Sequence, residues 1–389
     1  MDFTPFPRSL RISWSPNPRT GSAAVFLWGA RQTGKTTYLR TSFPTARFYD
    51  LLDTALCAEL SVGPHRLREE ILAERPPVVV IDEVQHAPQL LTEVHWLLEN
   101  TSTRFVLCGS SARKLRRGAR NLLGGRATEV HMLPLTSREI GDVDLARLLR
   151  HGGLPVHYLA DDPSDLLHAY VNNYLKAEII DESATRNIPA FSRFLQTIGL
   201  SHGQQINYTG IARETGVSAG TVRNYFQILE DTLLGFTLEP WRRRQKRRLV
   251  ETSKFYLFDI GVANQLHPEG AELAEGSDRY GTAFEHFILN EVSAYLAYVG
   301  KDRALAYWRT SSGFEVDLIV GAMDLAIECK SARELRAADL KGLRALRQEH
   351  APRRSLVVCR TQTRRRTEDG IEIMPWHAFC EELWAGDLC

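Results

Sequence analysis

At 389 residues the chain has room for two to four domains, each with its own core, and 48 basic against 47 acidic side chains leave a net charge of +1. That balance excludes a protein coated throughout for an anionic polymer or membrane, so any basic surface is local: Trp241 to Lys254 carries seven Lys or Arg against the single Glu251. Six scattered cysteines without a C-x-x-C pair argue against a zinc site or disulfide framework, and no apolar stretch nears the roughly 20 residues that span a bilayer. The opening Met1-Asp2-Phe3-Thr4-Pro5 lacks a signal peptide's basic start and apolar middle, so the expected location is cytoplasmic, with no membrane partner.

The first strong element is Val25-Phe26-Leu27-Trp28, which reads as a buried strand. Behind it comes a complete phosphate-binding loop, Gly29-Ala30-Arg31-Gln32-Thr33-Gly34-Lys35-Thr36, and then Thr37, in a segment that opens a helix stopped by Pro44. Strand, loop and helix in that order aim backbone N–H groups at a β-phosphate from a positive helix N-terminus. Lys35 is then expected to reach the β/γ-oxygens and Thr36 to hold magnesium, so ATP and Mg2+ are the expected cofactors. Val78-Val79-Val80-Ile81-Asp82-Glu83 reads as a central parallel strand ending in a Walker B pair, with Asp82 on the magnesium and Glu83 orienting the attacking water.

A third apolar run, Arg104 to Cys108, leads to Ser110 and Ser111, where a polar sensor of the γ-phosphate belongs; Ser110 is the first choice. Gly124-Gly125-Arg126 precedes a strand-like segment from Thr128 to Leu133, and Arg126 is the candidate finger for a neighbouring subunit's site.

With Ile81-Asp82-Glu83-Val84-Gln85, Cys108-Gly109-Ser110-Ser111, Pro134-Leu135-Thr136-Ser137-Arg138-Glu139 and Gly152-Gly153-Leu154-Pro155, the chain resembles prokaryotic AAA-type ATPases that carry an uncharacterised nuclease-like domain at the carboxyl end. The resemblance implies a parallel ATPase sheet, a small helical lid, and action as a homo-oligomer, a hexameric ring among the forms.

Thr209 to Leu229 reads as a helix-turn-helix, with Gly216 at the left-handed turn and Ser218 capping the second helix. Val217, Val222, Phe226 and Leu229 form its buried stripe, leaving Arg223, Asn224 and Gln227 outward for DNA. Strand-like Leu234 to Leu238 and Lys254 to Phe258 flank the basic Arg242, Arg243, Arg244, Lys246, Arg247 and Arg248, which completes a winged helix expected on double-stranded or branched DNA. Such modules also serve as protein adaptors.

From Tyr280 the pattern is helix, three strands, a helix over Ala332 to Glu349, and a strand over Ser355 to Cys359. A four-residue turn at Gly321 to Asp324 would set Asp317 directly opposite Glu328, two like charges that need a cation between them. Magnesium held by Asp317 and Glu328, with Glu285 completing or adjusting the site and Lys330 activating water or steadying the phosphorane charge, would meet that need. Glu315 and Glu291 are further carboxylates nearby, and His286 reads as a packing or surface residue. Glu285, Asp317 and Glu328-Cys329-Lys330 resemble the PD-(D/E)xK signature of restriction-endonuclease-like folds.

The expected fold is therefore α/β: an AAA-type P-loop ATPase core over 1–139, a helical lid over 140–188, a winged-helix domain over 189–265, and a restriction-endonuclease-like α/β domain over 276–389. The function read from it is an ATP-hydrolysing motor or remodeler on DNA, branched or forked DNA included, whose last domain cuts or grips. The alternatives are an ATP-gated regulator or defence sensor, and an ATP-regulated Mg-dependent nuclease.

Overall fold

A computed structural model describes residues 6–14, 23–111, 123, 126–175, 187–241, 252–270 and 272–388. The chain divides into two compact units, Met1–Leu133 with Asp231–Leu234, and Pro134–Glu230 with Gly235–Cys389.

The first unit is built on a five-stranded sheet in the order β2-β3-β4-β1-β5, with β1 at Ala24–Trp28, β2 at Arg47–Asp50, β3 at Val78–Asp82, β4 at Arg104–Gly109 and β5 at Ala127–His131. Every neighbouring pair is parallel. Strand β1 is buried at all five positions, as an apolar run in a parallel sheet with both faces covered must be. Helices α1 (Lys35–Ser42), α2 (Thr54–Val62), α3 (His65–Glu74) and α4 (Leu90–Asn100) make the cover. On α4, Leu90, Leu91, Val94, Leu97 and Leu98 are buried, the stripe expected of a helix lying on a core. Because β1 sits between β4 and β5, the loops leaving β1, β3 and β4 gather at one carboxyl edge of the sheet, where open α/β folds bind ligands.

The second unit opens with short helices, α5 (Ser137–Ile140), α6 (Leu145–His151), α7 (Pro155–Leu159) and α8 (Ser164–Ala169), followed by a π-helical turn at Tyr170–Leu175. Helices α9 (Ile188–Ser201), α10 (Tyr208–Thr215) and α11 (Ala219–Asp231) come next, then β6 (Gly235–Pro240), β7 (Lys254–Leu257), α12 (Ile260–Leu266) and α13 (Asp278–Val299). Strands β8 (Leu305–Arg309), β9 (Glu315–Val320), β10 (Leu325–Lys330), β11 (Arg354–Cys359), β12 (Arg365–Arg366) and β13 (Glu372–Pro375) complete it, with α14 (Lys341–Arg347) after β10 and α15 (Trp376–Ala385) at the end.

Three expectations change here. Residues 140–175 of the helical lid expected over 140–188 fall in the second unit, where Asn264 Nδ2 of α12 donates to the Leu149 carbonyl at 2.8 Å. The Gly152-Gly153 motif belongs to the same knot: buried Asp259 caps α12 by accepting from Val262 N at 3.0 Å and also accepts from Gly153 N at 2.8 Å. Burial pushes the Asp259 carboxyl up to about 6.

Strands β6 and β7, read as a separate wing, pair antiparallel, but β6 also runs parallel to β8, pairing Glu239 with Ala306 and Pro240 with Tyr307. One eight-stranded sheet, in the order β12-β13-β11-β10-β9-β8-β6-β7, thus crosses the boundary expected between residues 265 and 276. The helix expected over Ala332 to Glu349 is shorter, a 3-10 turn at Ala337–Leu340 running into α14. Asp339 Oδ2 accepts from Arg336 N at 2.7 Å and starts the turn there, since a side chain that satisfies this N–H marks a helix entry.

Candidate functional site

The phosphate loop follows β1 and turns at Gly34, whose φ of 92° lies where a side chain would be strained. Helix α1 begins at Lys35 directly after it. Lys35 is only 5% exposed, and its Nζ donates to the carbonyls of Gly29 at 2.7 Å and Ala30 at 3.0 Å. Among the described residues it forms no salt bridge. A buried ammonium held by neutral carbonyls is a cation prepared for an anionic ligand. Thr33 Oγ1 folds back on the Ala30 carbonyl at 2.8 Å, while Gln32 and Thr37 are exposed and Arg31 is half-buried.

The Walker B residues stand beside this loop. Thr36 Oγ1 donates to Asp82 Oδ2 at 2.6 Å, which brings together the two groups expected to share magnesium. Glu83, buried and at a φ of 54°, is aimed by two neighbours: Ser110 Oγ donates to its Oε2 at 3.1 Å, and Gln85 Nε2 donates to the same oxygen. Gln85 Nε2 also reaches Ser110 Oγ at 3.1 Å, closing a triangle. The residues therefore fit a nucleoside triphosphate with magnesium: a loop at a helix N-terminus, a buried cation, and a hydroxyl–carboxylate pair. Ser111 is buried beside Ser110. Arg126 lies at the amino end of β5, its carbonyl accepting from Ala23 N and Ala24 N, the edge of the sheet opposite the phosphate loop. It pairs there with Glu99 at 2.6 Å.

In the second unit α10 and α11, at the place of the expected helix-turn-helix, follow one another across a turn at Gly216. Gly216 closes α10 with a φ of 70°, and Ser218 Oγ accepts from Thr221 N at 3.1 Å. Val222, Tyr225, Phe226, Ile228 and Leu229 are buried, Val217 is half-buried, and Arg223, Asn224 and Gln227 are exposed. The Arg223 guanidinium lies 4.7 Å from the centre of the Tyr208 ring. Arg242, Arg243, Arg244, Lys246, Arg247 and Arg248 lie outside the described residues.

The carboxyl-terminal carboxylates meet on β9 and β10. The antiparallel register pairs Val320 with Leu325 and Leu318 with Ile327, as the four-residue turn predicts, and Asp317 and Glu328 come next along the two strands. Asp317 Oδ2 accepts from Cys329 N at 2.8 Å, and Lys330 Nζ donates to Glu328 Oε1 at 2.6 Å. Burial, and then the charge of Glu285, pushes the Asp317 carboxyl up to about 7; burial and Asp317 push Glu328 up as well. Glu328 Oε2 is buried without a hydrogen-bond partner among the described residues. A buried carboxylate beside a second carboxylate is relieved by a retained proton or by a cation.

The three-carboxylate metal set needs correction. Glu285 Oε1 accepts from Lys254 Nζ at 3.0 Å and from the Tyr256 hydroxyl, so a lysine already supplies its countercharge. Lys254 also reaches Glu315 Oε1 at 2.7 Å, and Arg309 holds the other oxygen of Glu315 at 2.8 Å. Among the described residues, no group of three or more His, Cys, Asp or Glu side chains is gathered to hold a metal. Glu291 lies elsewhere, accepting from Ser137 N at 2.7 Å, Ser137 Oγ at 2.8 Å and Trp384 Nε1 at 2.7 Å. His286 is a packing residue: it is buried, with its Nδ1 3.1 Å from His202 Nε2.

The uncharacterized protein Rv2008c of Mycobacterium tuberculosis is 30% identical over 304 residues, covering 76% of this chain and 67% of its own length. The chain belongs to the Rv2008c family. The counterpart Mb2031c of Mycobacterium bovis matches to the same extent, and the uncharacterized protein MJ1637 of Methanocaldococcus jannaschii is 23% identical over 77% of this chain and 73% of its own. The AAA domain family matches residues 21–141, and two domains of unknown function, DUF8612 and DUF4143, match 142–273 and 280–379. Among solved structures, the Walker-type ATPase PABY2304 of Pyrococcus abyssi aligns with a TM-score of 0.41 at 16% identity, over 63% of this chain and 91% of that one. This member of the Rv2008c family is thus a P-loop, nucleotide-binding AAA-type ATPase.

For this Rv2008c relative, sequence reasoning missed Gln85, Lys254, Tyr256 and the amino-terminal Arg8. Gln85 stood inside the Walker B motif, and its nearness to Glu83 was readable. Lys254 stood in a strand read only as a wing, and its partners lie 31 and 61 positions away in the chain. No helix among the described residues is long and apolar enough to cross a membrane.

Proposed function

We propose that this chain hydrolyses ATP to drive movement or remodelling of DNA, and that it works as a homo-oligomer, a hexameric ring being the form that suits a motor. Bound with the triphosphate, magnesium would neutralise charge on the β- and γ-phosphate oxygens. Thr36 and Asp82 would hold it. Lys35 gives up its carbonyl contacts to bind the phosphates, and loop N–H groups aim at the β-phosphate. Glu83, fixed by Ser110 and Gln85, accepts a proton from the attacking water, and Arg126 of a neighbour closes the site in trans.

The observation that carries the DNA half is the exposed edge of α11, where Arg223, Asn224 and Gln227 stand together on a helix whose other face is buried. Such an edge suits the major groove, and the basic Arg242 to Arg248 segment supplies phosphate contacts. In this reading the carboxyl-terminal domain grips DNA. The deciding measurement is ATP hydrolysis by the full chain with linear, forked and four-way DNA. Stimulation by DNA is expected, and unchanged turnover together with no DNA binding at low salt overturns the reading.

A second reading, an ATP-regulated Mg-dependent nuclease, is favoured by Glu328 Oε2, which is buried without a hydrogen-bond partner among the described residues on the strand that pairs with the one carrying Asp317.

A further inference from the structure

The segment 6–14 lies against the phosphate loop of its own unit. Arg8, half-buried, donates from Nη1 to the Thr33 carbonyl at 3.1 Å and from Nη2 to the Leu133 carbonyl at 2.5 Å. These acceptors are 25 and 125 positions away, so one guanidinium ties the middle of the loop to the chain just after β5. Leu10 is 2% exposed and its carbonyl accepts from the Tyr38 hydroxyl of α1 at 3.2 Å. Trp14 packs edge-on to Phe43, with ring centres 5.4 Å apart. The stretch that delivers Arg8 is therefore held to α1 and to the residue that follows it.

The consequence follows from the peptide bond. In a planar trans peptide the C=O and the N–H of one unit point in opposite directions. The carbonyl of Thr33 and the N–H of Gly34 belong to one such unit, so pinning the carbonyl onto Arg8 aims the Gly34 N–H the other way, into the concave side of the loop. That N–H heads the helix N-terminus that binds phosphate, and Gly34 has the freest backbone in the loop. A glycine with φ of 92° needs an external hold if its N–H is to be aimed before the ligand arrives.

We propose that Arg8 is a positioning residue of the nucleotide site, which holds the Thr33–Gly34 peptide in the orientation that receives the β-phosphate. Arg8 acts through the backbone, so its effect falls on any ligand with a β-phosphate. ADP and ATP lose the same factor when it is removed, and turnover at saturating ATP changes far less than affinity does.

The test uses the full chain as Arg8→Met and Arg8→Lys, with equilibrium binding of ADP and of a non-hydrolysable ATP analogue, and melting temperature with and without nucleotide. Arg8→Met should weaken both ligands by about tenfold, the worth of one charge-assisted hydrogen bond, and shrink the melting shift that nucleotide produces. Arg8→Lys, which keeps a donor for one of the two carbonyls, should fall between. A purely structural Arg8 would lower the melting temperature of the free protein and leave both affinities within twofold, and that result overturns the proposal. Should Arg8→Met fail to fold, Arg8→Lys decides: an unchanged affinity for both nucleotides refutes it, and an equal loss for both supports it.

Discussion

Buried Lys254 and half-buried Glu285 form an ion pair, Nζ to Oε1 at 3.0 Å, that joins strand β7 to helix α13 within the second unit. Lys254 is 4% exposed, and burial alone would lower its pKa; Glu285, Tyr256, Asp317 and Glu315 outweigh that and raise it. Removing the cation leaves half-buried Glu285 to the Tyr256 hydroxyl and half-buried Glu315 to Arg309. Lys254→Met should therefore cost about 2 to 3 kcal/mol in urea unfolding, below the roughly 3 to 5 kcal/mol for breaking one side of a fully buried pair, because both carboxylates keep some solvent and a second partner. Adding Glu285→Gln to it should recover part of the loss, and strictly additive losses would show that the two do not act as a pair.

Glu83 and Ser110 give a prediction about turnover. Glu83→Gln should retain ATP binding while hydrolysis falls by about 10² to 10⁴, the range for losing a general base. Ser110→Ala removes one of two donors aiming Glu83 and should lower kcat by about tenfold with KM little changed. A larger effect on KM than on kcat would place Ser110 on the nucleotide instead. If Glu83→Gln left DNA translocation intact, ATP turnover could not be what drives it.

Much of the nucleotide site was legible because its strands are buried on both faces. Such strands read as continuous apolar runs, so Ala24–Trp28, Val78–Asp82 and Arg104–Gly109 marked their own places, and the phosphate loop and Asp82-Glu83 lay at their ends. The hairpin register that brings Asp317 and Glu328 near each other was legible for another reason: side-chain period two and a short turn fix it locally. Nothing local announced Arg8 or the Lys254 pairs, which depend on residues far apart in the chain. Nor could local pattern show that Glu239 pairs with Ala306, since a strand of a two-stranded hairpin reads alike whether the hairpin stands free or joins a larger sheet. The helix over Ala332 to Glu349 was overextended because apolar spacing continues through a segment whose start is set by the Asp339 cap.

Glu291 should give the fold a pH dependence. Burial raises its carboxyl from an ordinary 4.5 to about 7, against the lowering effect of Trp384 and Ser137. The folded protein keeps this proton at pH values where the unfolded chain has released it. Its contribution is therefore full below about pH 4.5 and is lost as pH climbs to about 7, with a slope of at most about 1.4 kcal/mol per unit. Glu291→Gln, neutral throughout, should flatten the stability profile between those limits. An unchanged profile in urea titrations at pH 5 and 7.5 would count against it.

The nuclease reading stands or falls on Asp317 and Lys330. If it holds, Asp317→Asn and Lys330→Ala each abolish Mg-dependent cleavage and leave ATPase activity in place. The control for metal binding is manganese titration of the nucleotide-free protein: a site that disappears in Asp317→Asn belongs to the hairpin. No cleavage of linear, forked or four-way DNA by the unmodified chain removes this reading and leaves the domain as a grip.

DNA binding is testable through salt. Each phosphate that a protein neutralises releases counterions, so log K falls with log salt at a slope of about 0.9 per phosphate on duplex DNA. Changing Arg242, Arg243, Arg244, Arg247 and Arg248 to Gln should weaken binding to all sequences alike and flatten the slope by about 0.9 for every phosphate no longer neutralised. Arg223→Ala, Asn224→Ala and Gln227→Ala act differently, because residues on a recognition helix reach base edges as well as phosphates. They should lower affinity by about 1 to 3 kcal/mol for a preferred site, with a smaller change in slope. If the five-arginine variant binds unchanged at both low and high salt, the basic segment does not touch DNA, and the exposed edge of α11 reads instead as a protein-docking surface.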